Sequence, residues 1–146
     1  MIDQRGMTSR LITATCGAFA LASLLGCAGS PTGPIGPVLP GVWGGDHVTL
    51  TIADGGSQLE FDCAHGSIPG PLITDSRRQF EVPGIFVRER GGPIREGDPL
   101  DAYPATYAGA VTARSMQLTV RLTQTGDLIG TFTLTRGVPG RVLKCL

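Results

Sequence analysis

The sequence contains no asparagine, one lysine (Lys144), one tryptophan (Trp43) and two histidines, His47 and His65. Arginine supplies every other basic residue, which reads as the codon bias of a high-GC genome and not as a binding device. Charge of neither sign prevails: 12 basic and 12 acidic residues leave no formal net charge, and the sequence shows no run of basic residues like the stripe that nucleic-acid-binding domains use against phosphates. The apolar run Leu11 to Leu25 falls short of the roughly 20 residues a membrane-spanning helix needs. No window repeats apolar residues at helical spacing, and no stretch carries an HExxH helix or a nucleophile elbow. Nothing in the chain calls for a cofactor.

What is present begins with an address. Arg5 and Arg10 precede the uncharged run 11–25, the order of a basic and then an apolar region in a secretory signal. The run ends in Leu24-Leu25-Gly26-Cys27. This resembles the lipobox of bacterial lipoproteins, and the resemblance implies removal of residues 1–26 and a diacylglycerol thioether, with palmitate, on Cys27 as the first mature residue. The mature protein would then be held to a membrane by its N-terminal lipid. Ala28 follows where an inner-membrane retention signal would place Asp, so in an organism with two membranes the outer one is the expected destination. Cys16 would be discarded with the signal. Cys63 and Cys145 then remain as an even pair in an oxidising compartment, which predicts a disulfide. It would close a loop of roughly 80 residues, for which chain entropy allows on the order of 4 kcal/mol. A metal-binding thiol pair is the alternative reading, without C-x-x-C spacing to support it.

Residues 27–40 hold Pro31, Pro34, Pro37 and Pro40 among glycines, a composition that favours extended chain over a core and predicts a spacer reaching up to roughly 40 Å. From Gly41 to Leu146 the pattern has period two, the sign of half-buried strands. Val48, Leu50 and Ile52 alternate with threonines; Leu59, Phe61 and Cys63 with Gln58, Glu60 and Asp62; Met116, Leu118, Val120 and Leu122 with polar residues. Turn chemistry falls between the runs at Asp54-Gly55-Gly56, Asp75-Ser76, Ala113-Arg114-Ser115 and Thr125-Gly126-Asp127. The expected strands are 43–53, 57–64, 68–73, 78–89, 106–113, 115–123, 127–136 and 141–145, with a break allowed at Pro83-Gly84. These eight form an all-β antiparallel meander that hides its edges as a small closed barrel or, alternatively, as a two-sheet sandwich.

Leu39-Pro40-Gly41-Val42-Trp43 resembles the Gly-x-Trp opening of lipocalin-like barrels and of small bacterial protease-inhibitor barrels. That resemblance implies that Trp43 closes one barrel end beneath an arginine of the last strand, here Arg141, in cation–π contact. Counting back from Val48 puts Trp43 on the polar face. A bulge at Gly44-Gly45 would turn it inward.

Three groupings could carry chemistry. Asp46, His47 and His65 have zinc-ligand chemistry, although local hydrogen bonding at strand ends is the plainer use of each. Ser67, His65 and Asp46 can be drawn as a hydrolytic triple, with no oxyanion loop beside them. Glu60, Asp62 and Glu81 occupy outward positions of a solvated face. The irregular stretch 88–105 is the candidate contact surface, since loops of this length are commonly functional: its charges change sign along Arg88, Glu89, Arg90, Arg95, Glu96, Asp98 and Asp101, beside Tyr103 and Pro104, and Arg88, Arg90, Arg95, Glu96 and Tyr103 are the candidate binding residues. The expectation is a lipid-anchored, non-enzymatic cell-envelope protein contacting a protein partner through loops, in the manner of an inhibitor or adaptor. A lipocalin-like carrier of a small apolar ligand is the alternative, and a metal-dependent or hydrolytic enzyme stands third.

Cys27→Ser should abolish lipid attachment and processing at that position. Metabolic labelling with palmitate reads this directly, and continued incorporation in the variant would remove the anchor from Cys27.

Overall fold

The computed structural model describes residues 36–92 and 101–145. The signal, Cys27, Arg95 and Glu96 lie outside the described residues. Ten strands follow one another: β1 Gly36–Pro37, β2 Gly41–Gly45, β3 Val48–Ala53, β4 Gly56–Phe61, β5 Ala64–Pro69, β6 Ile73–Thr74, β7 Gln79–Arg88, β8 Asp101–Val111, β9 Ser115–Leu122 and β10 Leu128–Arg136. Eight of them close an antiparallel barrel in the order β10-β2-β3-β4-β5-β7-β8-β9, and β1 and β6 pair as a separate ribbon. The barrel is thus the outcome, and the sandwich is excluded.

Although eight wall strands were expected, two of them arise differently. The run 43–53 is a hairpin, not one strand: Gly45 pairs with Val48, and Asp46-His47 make the turn, with His47 at a φ of 67°. Directly paired residues share a face, so Trp43, opposite Leu50, points inward with it. The Gly44-Gly45 bulge is unnecessary. The segment 141–145 is not a strand; it touches the sheet only as an isolated parallel bridge between Arg141 and Asp46. Cys63 falls in the β4–β5 turn at a φ of 52°, which moves His65 into β5. β7 passes unbroken through Pro83-Gly84, paired with Thr106 and Ala105. β8 starts at Asp101, so Tyr103 and Pro104 belong to the wall and not to the irregular loop.

Alternation fills the interior. Val48, Leu50, Leu59, Leu118, Val120 and Leu134 have no exposed surface, and Trp43 keeps 1%. Tyr107 spans the barrel wall above two glycines: a Cβ at Gly66 would overlap its hydroxyl, and one at Gly84 would press on its ring. Its hydroxyl donates to the Ile85 carbonyl at 2.8 Å, and burial holds the phenol above its ordinary titration range. Phe61, Phe86 and Phe132 pack at centroid distances of 5.6 and 5.4 Å, plugging the end near the β2–β3 and β4–β5 turns, here the distal end. At the opposite, proximal end the β1–β6 ribbon folds across the opening, with Val38 N donating to Leu72 O at 2.7 Å and both side chains in the core. The domain therefore reaches back to Gly36, into the segment read as spacer. Among the described residues the core cluster lies between Val38 and Leu134, all of it within the closed barrel and the ribbon across its end.

The tail after β10 runs along the outside from the proximal to the distal end. Gly137 N donates to Val42 O at 2.7 Å and Arg141 N to Gly45 O at 2.9 Å. Cys145 ends the described tail in a disulfide with Cys63, at a Cα separation of 4.9 Å across 82 residues. The oxidised protein should show no free thiol among these two. Reduction should lower the thermal midpoint by more than about 10 °C, because a few kcal/mol of lost constraint shifts a domain of this size by roughly 4–8 °C per kcal/mol. A midpoint unchanged on reduction would show that the tail's other contacts suffice without the disulfide.

Candidate functional site

The distal end gathers most of the chemistry-bearing side chains, because the β2–β3 and β4–β5 turns, the 88–101 connection and the tail all meet there. Its polar groups are committed pairwise. Asp46 accepts from Arg141 Nε at 2.8 Å and also from its Nη2. His47 Nδ1 lies 2.5 Å from Asp62 Oδ2, while Asp62 Oδ1 accepts the Leu143 N–H at 2.7 Å. His65 Nδ1 lies 2.9 Å from Glu89 Oε1. Lys144 bridges Glu89, at 3.2 Å, and Glu60.

These pairings separate the residues that spacing had grouped. Asp46, His47 and His65 each turn to a different partner, and among the described residues no cluster of three or more metal-ligating side chains forms. The Ser67–His65–Asp46 triple is likewise divided, since His65 addresses Glu89 and Asp46 addresses Arg141. Glu60 and Asp62 face outward but serve the tail, a use that outward alternation alone does not reveal.

The expected Arg141–Trp43 contact is also replaced. Arg141, with 82% of its side chain exposed, pairs with Asp46. Because 141–145 is an outer tail and not the last strand, the arginine in register with Trp43 is Arg136, on β10, and not Arg141.

Between β7 and β8 the charged rim survives in part. Arg88 pairs across the strands with Asp101, and its guanidinium sits 5.1 Å from the centroid of the Tyr103 ring. Arg90 Nη2 reaches Asp101 Oδ2 at 3.3 Å, and the Tyr103 hydroxyl donates to the same carboxylate. That phenol hydrogen bond, joined by Arg90, holds Asp101 below the usual carboxylate range. Arg88, Arg90 and Tyr103 therefore form one platform around Asp101, a charge of the same stretch whose role as the shared acceptor the sequence does not show. Stacked arginine and tyrosine are the side chains that most often anchor protein contacts.

Comparison with protein-family models, curated proteins and solved structures returns no match. Functional inference rests on the residues themselves.

The tail contacts titrate. The Leu143 N–H and then His47 hold Asp62 below the usual aspartate range. Burial works against the charge on Glu89, but the hydrogen bonds from His65 and Lys144 outweigh it and its pKa is lowered as well. A depressed carboxylate pKa gives stability that is present above the group's ordinary range and is lost as pH falls through the folded value. The protection factor of the Leu143 amide should therefore be high at neutral pH and be lost only as pH falls below the ordinary aspartate range, through the lowered folded value. In Asp62→Ala it should be low throughout, with Trp43 emission unchanged. Hydrogen exchange followed by NMR measures both, and a pH-independent protection factor in the unaltered protein would refute the assignment.

Proposed function

We propose that this chain is a lipid-anchored protein of the bacterial cell envelope that binds a protein partner through the rim at its distal end, without catalysis. Export is supported by the signal-like residues 1–26 and Cys27, and independently by the Cys63–Cys145 disulfide, since such bonds persist in oxidising compartments. The observation that carries the binding role is the Arg88–Tyr103 stack with Arg90 and Asp101 on the distal rim. Asp46, His47 and His65, which the hydrolytic triple and the metal grouping would need, are occupied by structural ion pairs, which favours binding over chemistry.

A filled interior also favours a surface binder over a carrier, because an eight-strand barrel has an interior little wider than its own side chains need. A groove of about 820 Å³ lies on the outer wall between Ile73, Asp75, Gln79, Glu81, Ala108 and Gln117, not in the barrel interior. The carrier reading keeps one supporting feature, a mainly apolar groove of about 290 Å³ beside Trp43 at the proximal end.

The test is capture from envelope extract with the unlipidated domain 28–146, followed by affinity measurement for the partner recovered. Arg88→Glu with Arg90→Glu should weaken that binding at least about 30-fold, the effect of losing an interface anchor worth roughly 2 kcal/mol, and should leave Trp43 emission as it was. Undiminished affinity would move the binding surface away from this rim.

A further inference from the structure

In an antiparallel meander alternate turns emerge at the same end, and here that parity collects arginines. Arg77 and Arg78 stand just before β7, Arg114 in the β8–β9 turn and Arg136 at the end of β10, all at the proximal end. Backbone bonds tie the group together: Val111 N donates to Arg78 O and Arg136 N to Arg114 O, each at 2.9 Å. Arg78 and Arg136 border the groove beside Trp43, and Arg114 and Arg136 border a second hollow with Pro40 and Val42. All four side chains are exposed, and among the described residues none forms an ion pair. Among the described residues the carboxylates of this end are Asp54, Asp75 and, near the start of β7, Glu81, which borders the outer groove with Arg77 without forming an ion pair; Asp75 Oδ1 is already taken by the N–H groups of Arg77 and Gln79, each at 2.8 Å. At the distal end, by contrast, Arg90, Arg141 and Lys144 are all paired with carboxylates.

The same end exposes apolar side chains, Leu39 at 57%, Ile73 at 46% and Val42 at 38%. It is also where the chain from Cys27 joins the barrel, at Gly36. The intervening segment of about nine residues can span at most roughly 30 Å, so a lipid on Cys27 holds this end close to the bilayer.

We propose that the proximal end is a membrane-docking surface, on which Arg77, Arg78, Arg114 and Arg136 meet anionic phospholipid headgroups while Leu39, Val42 and Ile73 enter the interfacial layer. Its orientation rests on the anchored reading; its chemistry belongs to the arginines. Exposed guanidiniums and apolar side chains on one face suit a surface that is both anionic and partly apolar, whereas a soluble protein partner would leave the position of the tether unexplained.

Co-sedimentation of unlipidated 28–146 with vesicles tests the surface without the anchor. The domain should bind phosphatidylcholine vesicles containing roughly 30 mol% phosphatidylglycerol, should not bind phosphatidylcholine alone, and should be released by salt. Arg78→Gln with Arg136→Gln should weaken binding about 25-fold, about fivefold for each basic residue near such a surface. Arg121→Gln with Arg141→Gln, at the distal end and outside the Arg88–Tyr103 platform, should change it less than about twofold. Trp43 emission reports that each variant is folded. No binding to anionic vesicles, equal binding to neutral ones, or equal loss in the distal pair would overturn the proposal. Palmitate labelling separates the two readings: vesicle binding without label leaves this surface standing and removes the anchor, and label without vesicle binding does the reverse.

Discussion

The barrel closes through one narrow seam, where β10 meets β2 at only two register pairs, Thr135 with Gly44 and Arg136 with Trp43. By contrast β7 and β8 pair along ten positions. A seam this short holds because the backbones come closer than side chains permit. A Cβ on Gly45 would overlap Thr133 O, one on Gly44 would overlap the backbone at Val138–Gly140, and one on Gly140 would overlap Val48 O. The tail thus lies directly on β2, its bond from Gly137 N to Val42 O continuing what the ladder leaves off. Closure, the burial of Trp43 and the course of the tail all follow from three positions without side chains.

Beyond the seam the tail is fastened by polar contacts of modest individual strength. Exposed ion pairs such as Arg141–Asp46 contribute little each. Asp62 differs because it accepts a main-chain N–H from Leu143, so removing its charge orphans part of the strap. The disulfide adds a constraint that neither salt nor acid relieves. The tail thus ends in two fastenings two residues apart, one titratable at Leu143 and one covalent at Cys145.

The alternation of Val48-Leu50-Ile52 and of Met116 through Leu122 made the wall strands and the all-β class legible, since half-buried strands impose period two on any sequence. The first hairpin was not legible, because its turn carries no glycine at the left-handed position: His47 adopts it instead, as Cys63 does in the next turn but one. A pattern that expects glycine or asparagine at such places reads straight through Asp46-His47, and Trp43 then falls on the wrong face. Pairing residues across a two-residue turn there would have put it opposite Leu50. The distal ion pairs were illegible for a different reason: Asp46 and Arg141 are 95 residues apart, and no local signal joins them. The proximal arginines needed only turn parity. Once strands are ordered as a meander, every second turn shares an end, and the arginines flanking those turns fall together before any coordinates are known.

The two ends differ in how they use charge, and the difference orients the molecule. At the distal end Arg141 and Lys144 are paired with carboxylates that hold the tail, and Arg90 with Asp101, which leaves that end little net field; under the proposed function, recognition there would fall to shape and to the Arg88–Tyr103 stack. Proximal cations have no such partners among the described residues, so their field extends into solvent over roughly a Debye length. β7 runs from the proximal end at Gln79 to the distal end at Arg88, a rise of about 30 Å for ten residues at ~3.3 Å each. A short tether joining at Gly36 and an arginine rim beside it would therefore hold the Arg88–Tyr103 platform about one strand's length from a bilayer, facing away from it. A partner could approach that platform without displacing the lipid-facing end, and binding would not have to work against the attraction that keeps the barrel on the membrane.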